Sequence, residues 1–293
     1  MKQAPEWNRE VLLNSPLFAP LHPLLADLEI CDFPALQDCN ALLERHSPII
    51  VQSGMSLRFV SQECGKLSFE AQYEPRCYLT GEVQMRANNR HDLFNALVWL
   101  TFPKTKAILN ARHYHALLDE RASGNPARGA VRDVNTLFDE SGVIVAYADN
   151  NADAHSNTGL AGLLRSFEWK ELFWQRREQV RAGMEFYLFG HGLYEKALQP
   201  YVGMTGQGLL LAVERAFFAW PLAQRLTYLD NLLADYLAEP KHCLSTRELS
   251  PVPLLGVPGW TTDNCSETYY DNTAYFRPSR RRPSEFDGRT VPD

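Results

Sequence analysis

The sequence predicts an α+β fold, predominantly helical, with a small antiparallel β element and a long irregular strap at its C-terminal end. Three observations predict it. Apolar runs of helical length recur, as at residues 93–100 and 222–238. Two short β-rich runs, 134–138 and 143–147, flank a turn-forming tetrapeptide. Beyond Pro240 the chain is rich in proline, glycine and aromatic residues and has no helical period, the composition of binding loops, lids or packed straps.

In chain order, Pro5, Pro16, Pro20 and Pro23 lie among leucines, which predicts short helical turns laid over the core, because proline ends or kinks a helix. Residues 38–45 read as a helix cut off by Pro48. Residues 67–73 alternate strictly, with Leu67, Phe69, Ala71 and Tyr73 on one face and Ser68, Glu70 and Gln72 on the other, the period of a half-buried strand. Asn88 and Asn89 are good N-caps for a helix whose residues 93–100 are apolar almost all round, which predicts burial on every side. Pro103 separates this helix from a second one running to about Glu120, and Ser123, Gly124, Asn125 and Pro126 mark a surface loop.

Residues 134–138 and 143–147, joined by Asp139, Glu140, Ser141 and Gly142, read as a hairpin over 134–147, with Gly142 placed to take the left-handed conformation that closes it. Residues 158–165 and 168–181 read as helices. Residues 184–198 satisfy both periods and are assigned to one helix in preference to a strand followed by a helix. Residues 209–220 and 222–238 are two further helices parted at Pro221.

The 293 residues are 45% hydrophobic and 22% charged, enough apolar surface for a sizeable core. One domain over residues 1–278 and a flexible polar tail over 279–293 are expected. Lys plus Arg is 29 against 35 for Asp plus Glu, a balance that speaks against general nucleic-acid binding, which needs a basic face to displace phosphate counterions. The one dense basic cluster, Arg277 with Arg280, Arg281 and Arg282, reads as part of a solvated terminus. No apolar stretch near Met1 resembles a secretory signal and no uninterrupted apolar run spans a bilayer, so a cytoplasmic location and no membrane are expected. None of the six cysteines forms a CxxC pair, and reduced, buried thiols are expected.

Candidate chemistry lies where polar groups interrupt apolar surroundings. His91, Asp92 and Asn95 share one stripe of the otherwise apolar helix. Leaving such groups buried and unsatisfied costs about 1–3 kcal/mol each, so they must meet partners, water or a ligand. They read either as a pocket wall or as a capping network in which Asp92 complements the helix dipole. Histidine transfers protons near neutral pH, and a carboxylate can orient it or join it on a metal. Asp133, Glu140 and His191 are further candidates, the last flanked by Gly190 and Gly192, which let either a substrate or a packed helix approach closely. Asp139, at the start of the hairpin turn, reads as an Asx-turn residue. His113 and His115, two apart on a helix, point in different directions and cannot share a metal. The sequence holds no GxxxxGK[ST], GxSxG or HExxH and no proper GxGxxG, which disfavours a nucleotide cofactor, while the His and Asp candidates are compatible with a divalent metal.

Taken together, His91-Asp92-Leu93-Phe94-Asn95-Ala96-Leu97, Trp99-Leu100-Thr101-Phe102-Pro103, Phe138-Asp139-Glu140, Phe189-Gly190-His191, Gly256-Val257-Pro258-Gly259-Trp260 and Phe276-Arg277-Pro278 resemble a bacterial family of proteins of unknown function, DUF3025. The resemblance spans roughly residues 30–278 and implies a single domain. It carries over no activity, cofactor or catalytic set. Ser141 stands where the family's turn is expected to hold Asn.

Two functional expectations follow. One is a hydrolase using His91, Asp92 and His191, around a metal or without one, with Asn95, Asp133, Glu140, Trp260 and Arg277 contacting ligand. Its substrate would be small and anionic or phosphate-bearing, because the Arg277 guanidinium presents a planar donor fork. The other is a noncatalytic binding or assembly protein in which the same polar residues fasten the strap to the helices.

Overall fold

The computed structural model describes residues 6–28, 30–45, 48–63, 65, 67–123, 129–148 and 159–278. The polar tail over 279–293 and most of the loop after Ser123 lie outside the described residues. Short helices α1 (Arg9–Leu13) and α2 (His22–Asp27) bracket a 3-10 turn at Pro16–Leu21, as the proline spacing predicts, and α3 (Leu36–Arg45) follows. Strand β1 (Arg58–Ser61) pairs in parallel with β2 (Glu82–Met85), with α4 (Tyr73–Thr80) between them. Two parallel neighbours cannot be joined by a tight turn and need a crossover. Residues 67–73, expected to be a strand, belong to that crossover: they form turns that lead into α4, with no strand partner.

Helix α5 (Arg90–Thr101) is capped by Asn89, whose side chain accepts from the Asp92 amide at 3.0 Å. All of its residues from Asp92 to Leu100 are buried. Pro103 then opens α6 (Pro103–Ser123), where its missing N–H costs nothing. The first amides of α6 are capped from another helix, α11 (Leu222–Ala238): the Asp230 carboxylate accepts from Lys104 N at 3.0 Å and Thr105 N at 2.9 Å. Asp230→Ala strands one buried and one part-buried donor, so a loss of about 1–2 kcal/mol is expected from urea unfolding. At the C-terminal end of α11, the Arg112 guanidinium of α6 donates to the Leu237, His242 and Cys243 carbonyls at 2.7–3.0 Å. The two helices are thereby tied at two points.

The expected hairpin over 134–147 is instead a helix followed at once by a strand: α7 (Ala130–Ser141), then β3 (Gly142–Ala148). Val134, Asn135 and Phe138 are the buried face of α7, a helical spacing that a five-residue run cannot distinguish from a strand's. Gly142 is extended, at φ −68°, not left-handed. Glycine is needed there because a Cβ would lie 2.3 Å from the Phe138 carbonyl oxygen.

After α8 (Leu160–Ser166), a π-turn at Glu171–Gln175 and α9 (Arg177–Gly183), the segment assigned to one helix divides into strand β4 (Met184–Leu188) and helix α10 (His191–Ala197). Likewise most of 209–220 is not helical. It lies in β5 (Thr205–Val213) and a 3-10 turn. Strand β5 is interior to a four-stranded sheet of order β4-β3-β5-β6, where β6 is Ser250–Pro253. It runs parallel to β3 and antiparallel to β6, and β3 is antiparallel to β4. Burial alternates from Leu209 to Val213, with Leu210 half-buried and Ala212 exposed, but every one of these residues is apolar, which hides the period.

The fold is α+β and mostly helical, and its β part is a mixed sheet larger than expected. One hydrophobic cluster reaches from Leu12 to Phe276. Beyond α11 the strap is a chain of 3-10 turns around β6. It is fixed by buried Asn264, which donates to the Leu255 and Val257 carbonyls, and by Tyr275, whose hydroxyl donates to Met204 O at 2.8 Å. No helix among the described residues is long and apolar enough to cross a membrane.

Candidate metal centre

Helix α10 packs against both α5 and α7. That brings together the second residue of α5, the first of α10 and the penultimate one of α7: His91, His191 and Glu140. The two Nε2 atoms lie 3.1 Å apart, with the rings inclined at 70°. Glu140 Oε1 is 3.6 Å from His91 Nε2 and 3.5 Å from His191 Nε2. Ligands on one zinc at about 2.0–2.2 Å stand about 3.3–3.5 Å apart when tetrahedral and about 3 Å apart at adjacent octahedral positions. The 3.1 Å edge is close to the octahedral spacing and the 3.5 and 3.6 Å edges to the tetrahedral one.

The far side of each ring faces a carboxylate. His91 Nδ1 is 3.5 Å from Glu195 Oε2, and His191 Nδ1 is 3.6 Å from Asp139 Oδ2. With the proton of each ring on Nδ1, beside these carboxylates, each Nε2 would be a bare lone pair. Two imidazole lone pairs and a carboxylate oxygen would then converge, an arrangement that a cation satisfies. With a proton on one Nε2, the two rings instead hydrogen-bond each other.

The groups behind this triangle set its charge. Burial disfavours the Asp139 carboxylate, but Lys106 and then His191 outweigh it and hold Asp139 below the usual carboxylate range. Glu140 is likewise disfavoured by burial and held below its ordinary value chiefly by His191 and His91. Lys106, only 3% exposed, donates to Asp139 Oδ1 at 2.5 Å and Asn95 Oδ1 at 2.9 Å, and Asn95 donates to the Tyr73 hydroxyl at 2.6 Å. Beside the triangle lies a cavity of about 280 Å³, whose walls include Gln62, Tyr73, Glu74, Gln84, Arg86 and His113.

The glycines beside His191 serve close packing. A Cβ on Gly190 would lie 2.5 Å from the Ser141 and Gly142 backbone nitrogens, and one on Gly192 would lie 2.5 Å from Glu140 Oε2. What approaches so closely is the end of α7 and the start of β3.

The remaining candidates fall in different places. Asp92 borders the cavity but is engaged by Arg86 through both oxygens, at 2.7 and 2.8 Å, and through the Arg86 amide. Asn95 also borders it, tied into the lysine network. Asp133 is exposed on α7 and is absent from the cavity wall. Trp260 packs against Phe186, with ring centroids 6.3 Å apart. Arg277 is exposed and borders a separate cavity with Phe167 and Trp169. Neither strap residue reaches the histidines. Asp139, read as a turn residue, lies inside α7 and holds Lys106. His113 is buried and His115 exposed.

Sequence reasoning misses Glu195 and the buried polar residues of α6. The signals were present: His191 and Glu195 are four apart, and Lys106, Asn110 and His113 recur at helical spacing between buried Ala107, Leu109 and Ala111.

The family model described as a protein of unknown function, DUF3025, matches residues 57–280. The chain belongs to the DUF3025 family. No curated protein and no solved structure matches it. The stretch that this DUF3025 chain shares with its family contains His91, Glu140, His191 and both outer carboxylates, Asp139 and Glu195.

Proposed function

We propose that this protein is a metal-dependent enzyme of the hydrolase type, in which His91, His191 and Glu140 hold a single divalent ion beside the polar cavity. The observation that carries this reading is the meeting of two imidazole Nε2 atoms and a carboxylate oxygen, 3.1–3.6 Å apart. Two imidazoles and one carboxylate are a ligand set of divalent first-row metals, and three protein ligands leave positions for water and substrate. An ion so held supplies a water of lowered pKa and a Lewis acid for the bond under attack.

The chain's own groups do the rest. Glu195 and Asp139 keep the two rings turned toward the centre, and Gln62, Gln84 and Tyr73 offer amides and a hydroxyl to a small polar substrate. The anionic class inferred from Arg277 draws no support from this cavity, since Arg86, the guanidinium that borders it, is engaged by Asp92.

The test is elemental analysis after reconstitution with Zn²⁺, Mn²⁺, Fe²⁺ or Co²⁺ and exhaustive dialysis. About one ion per chain is expected, lost in His91→Ala and Glu140→Gln with unchanged circular dichroism. Metal-free wild-type protein under all four conditions overturns the reading and favours the assembly protein. Given a bound ion, a panel of ester, amide and phosphoester substrates should include one whose turnover stops on chelation and returns with metal.

A further inference from the structure

Lys106 is anomalous on stability grounds. Burying an ammonium costs several kcal/mol, and an apolar residue of the same size is often no worse for the fold. It is 3% exposed and lies over the Trp99 ring, 5.5 Å from the centroid. Its two hydrogen bonds run to residues on the cavity wall, Asn95 and Asp139. The Asp139 contact uses Oδ1 alone, which leaves Oδ2 facing His191 Nδ1 at 3.6 Å. With one oxygen fixed, the carboxylate plane is fixed, and its free oxygen is turned toward His191 Nδ1, a buried ring nitrogen without a hydrogen-bond partner.

We infer that Lys106 is a positioning residue of the proposed metal centre, acting through Asp139 to hold His191 with Nε2 turned toward the ion. The inference rests on the metal-centre reading. Outer partners of a ligating histidine set its tautomer and ring angle, and losing them costs about 10–100-fold in metal affinity. Lys106 stands one contact further out, and without it Asp139 is free to rotate away from the ring.

The experiment is a competition titration of purified full-length protein with Zn²⁺ against a chromophoric chelator, together with the visible spectrum of the Co²⁺ form. The proteins compared are wild type, Lys106→Met, Asp139→Asn and the double variant. Each single substitution is expected to weaken Zn²⁺ binding about 10–100-fold and to shift the Co²⁺ bands. The double variant should be no worse than the weaker single, because the two residues act as one unit. Should Lys106→Met not fold, Lys106→Gln and Asp139→Asn carry the same comparison. Unchanged affinity and unchanged Co²⁺ bands in the folded variants, whatever their thermal stability, overturn the inference and leave the lysine a structural role. Wild-type protein that binds neither ion removes the metal centre itself, a result distinct from wild type and variants binding alike.

Discussion

Removing the metal with a strong chelator should lower the thermal unfolding midpoint by on the order of 10 °C, measured by calorimetry on otherwise identical samples. The three proposed ligands stand on α5, α7 and α10, roughly 50 residues apart along the chain, so the unfolded chain offers no preformed site. A ligand that binds only the folded state stabilises it by about 4 kcal/mol at a thousandfold excess over its dissociation constant. For a chain of this size each kcal/mol moves the midpoint by about 2–4 °C. The sign is fixed: metal raises the midpoint, chelation lowers it, and His91→Ala should abolish the difference. Equal midpoints with and without metal would contradict the proposal.

The second large effect is expected from a substitution that touches no ligand directly. Gly192→Ala should weaken Zn²⁺ binding by at least about 100-fold, beyond the usual effect of an outer-shell change, as read by competition titration. The added Cβ would stand 2.5 Å from Glu140 Oε2, the end of a flexible side chain, and 3.0 Å from the Glu140 carbonyl oxygen, so the Glu140 side chain swings aside, its backbone gives slightly and the triangle opens. The metal-free fold should stay within about 1 kcal/mol of wild type, because alanine is the better helix former inside α10. Gly192 is the informative position of the glycine pair: at Gly190 the added methyl would meet backbone nitrogens, and the fold itself would take the strain. Unchanged affinity in a folded Gly192→Ala protein would mean that Glu140 is not a ligand.

Parts of the fold were legible wherever one local rule acted alone. Asn89 and Pro103 bound α5, and Pro221 opens α11, as their chemistry requires. Residues 134–138 and 209–213 misled because a short apolar run fits both periods, and the choice between them is made by what packs above and below. Strand β5 lies between β3 and β6, and its residues 209–213 are apolar at the buried and the more exposed positions alike, so its own sequence does not show the alternation. The candidate site shows the same limit. His91, His191 and Glu140 stand out singly by residue type, but their meeting depends on α10 folding back between α5 and α7, which no periodicity reports. Lys106 is hidden for another reason: a lone lysine in a helix reads as solvated unless Asn110 and His113, on the same stripe, are counted with it.

The triangle is lopsided. The His191 side chain is 6% exposed, whereas those of His91, Glu140 and Glu195 are 32%, 41% and 46% exposed. An ion bound as proposed would meet the two glutamates first and the sheltered ring last. The same opening would give a chelator access to it. Which element fills a pocket of this kind is decided as much by local supply as by donor preference, and protein prepared in different media should carry different ions in the same three-pronged seat.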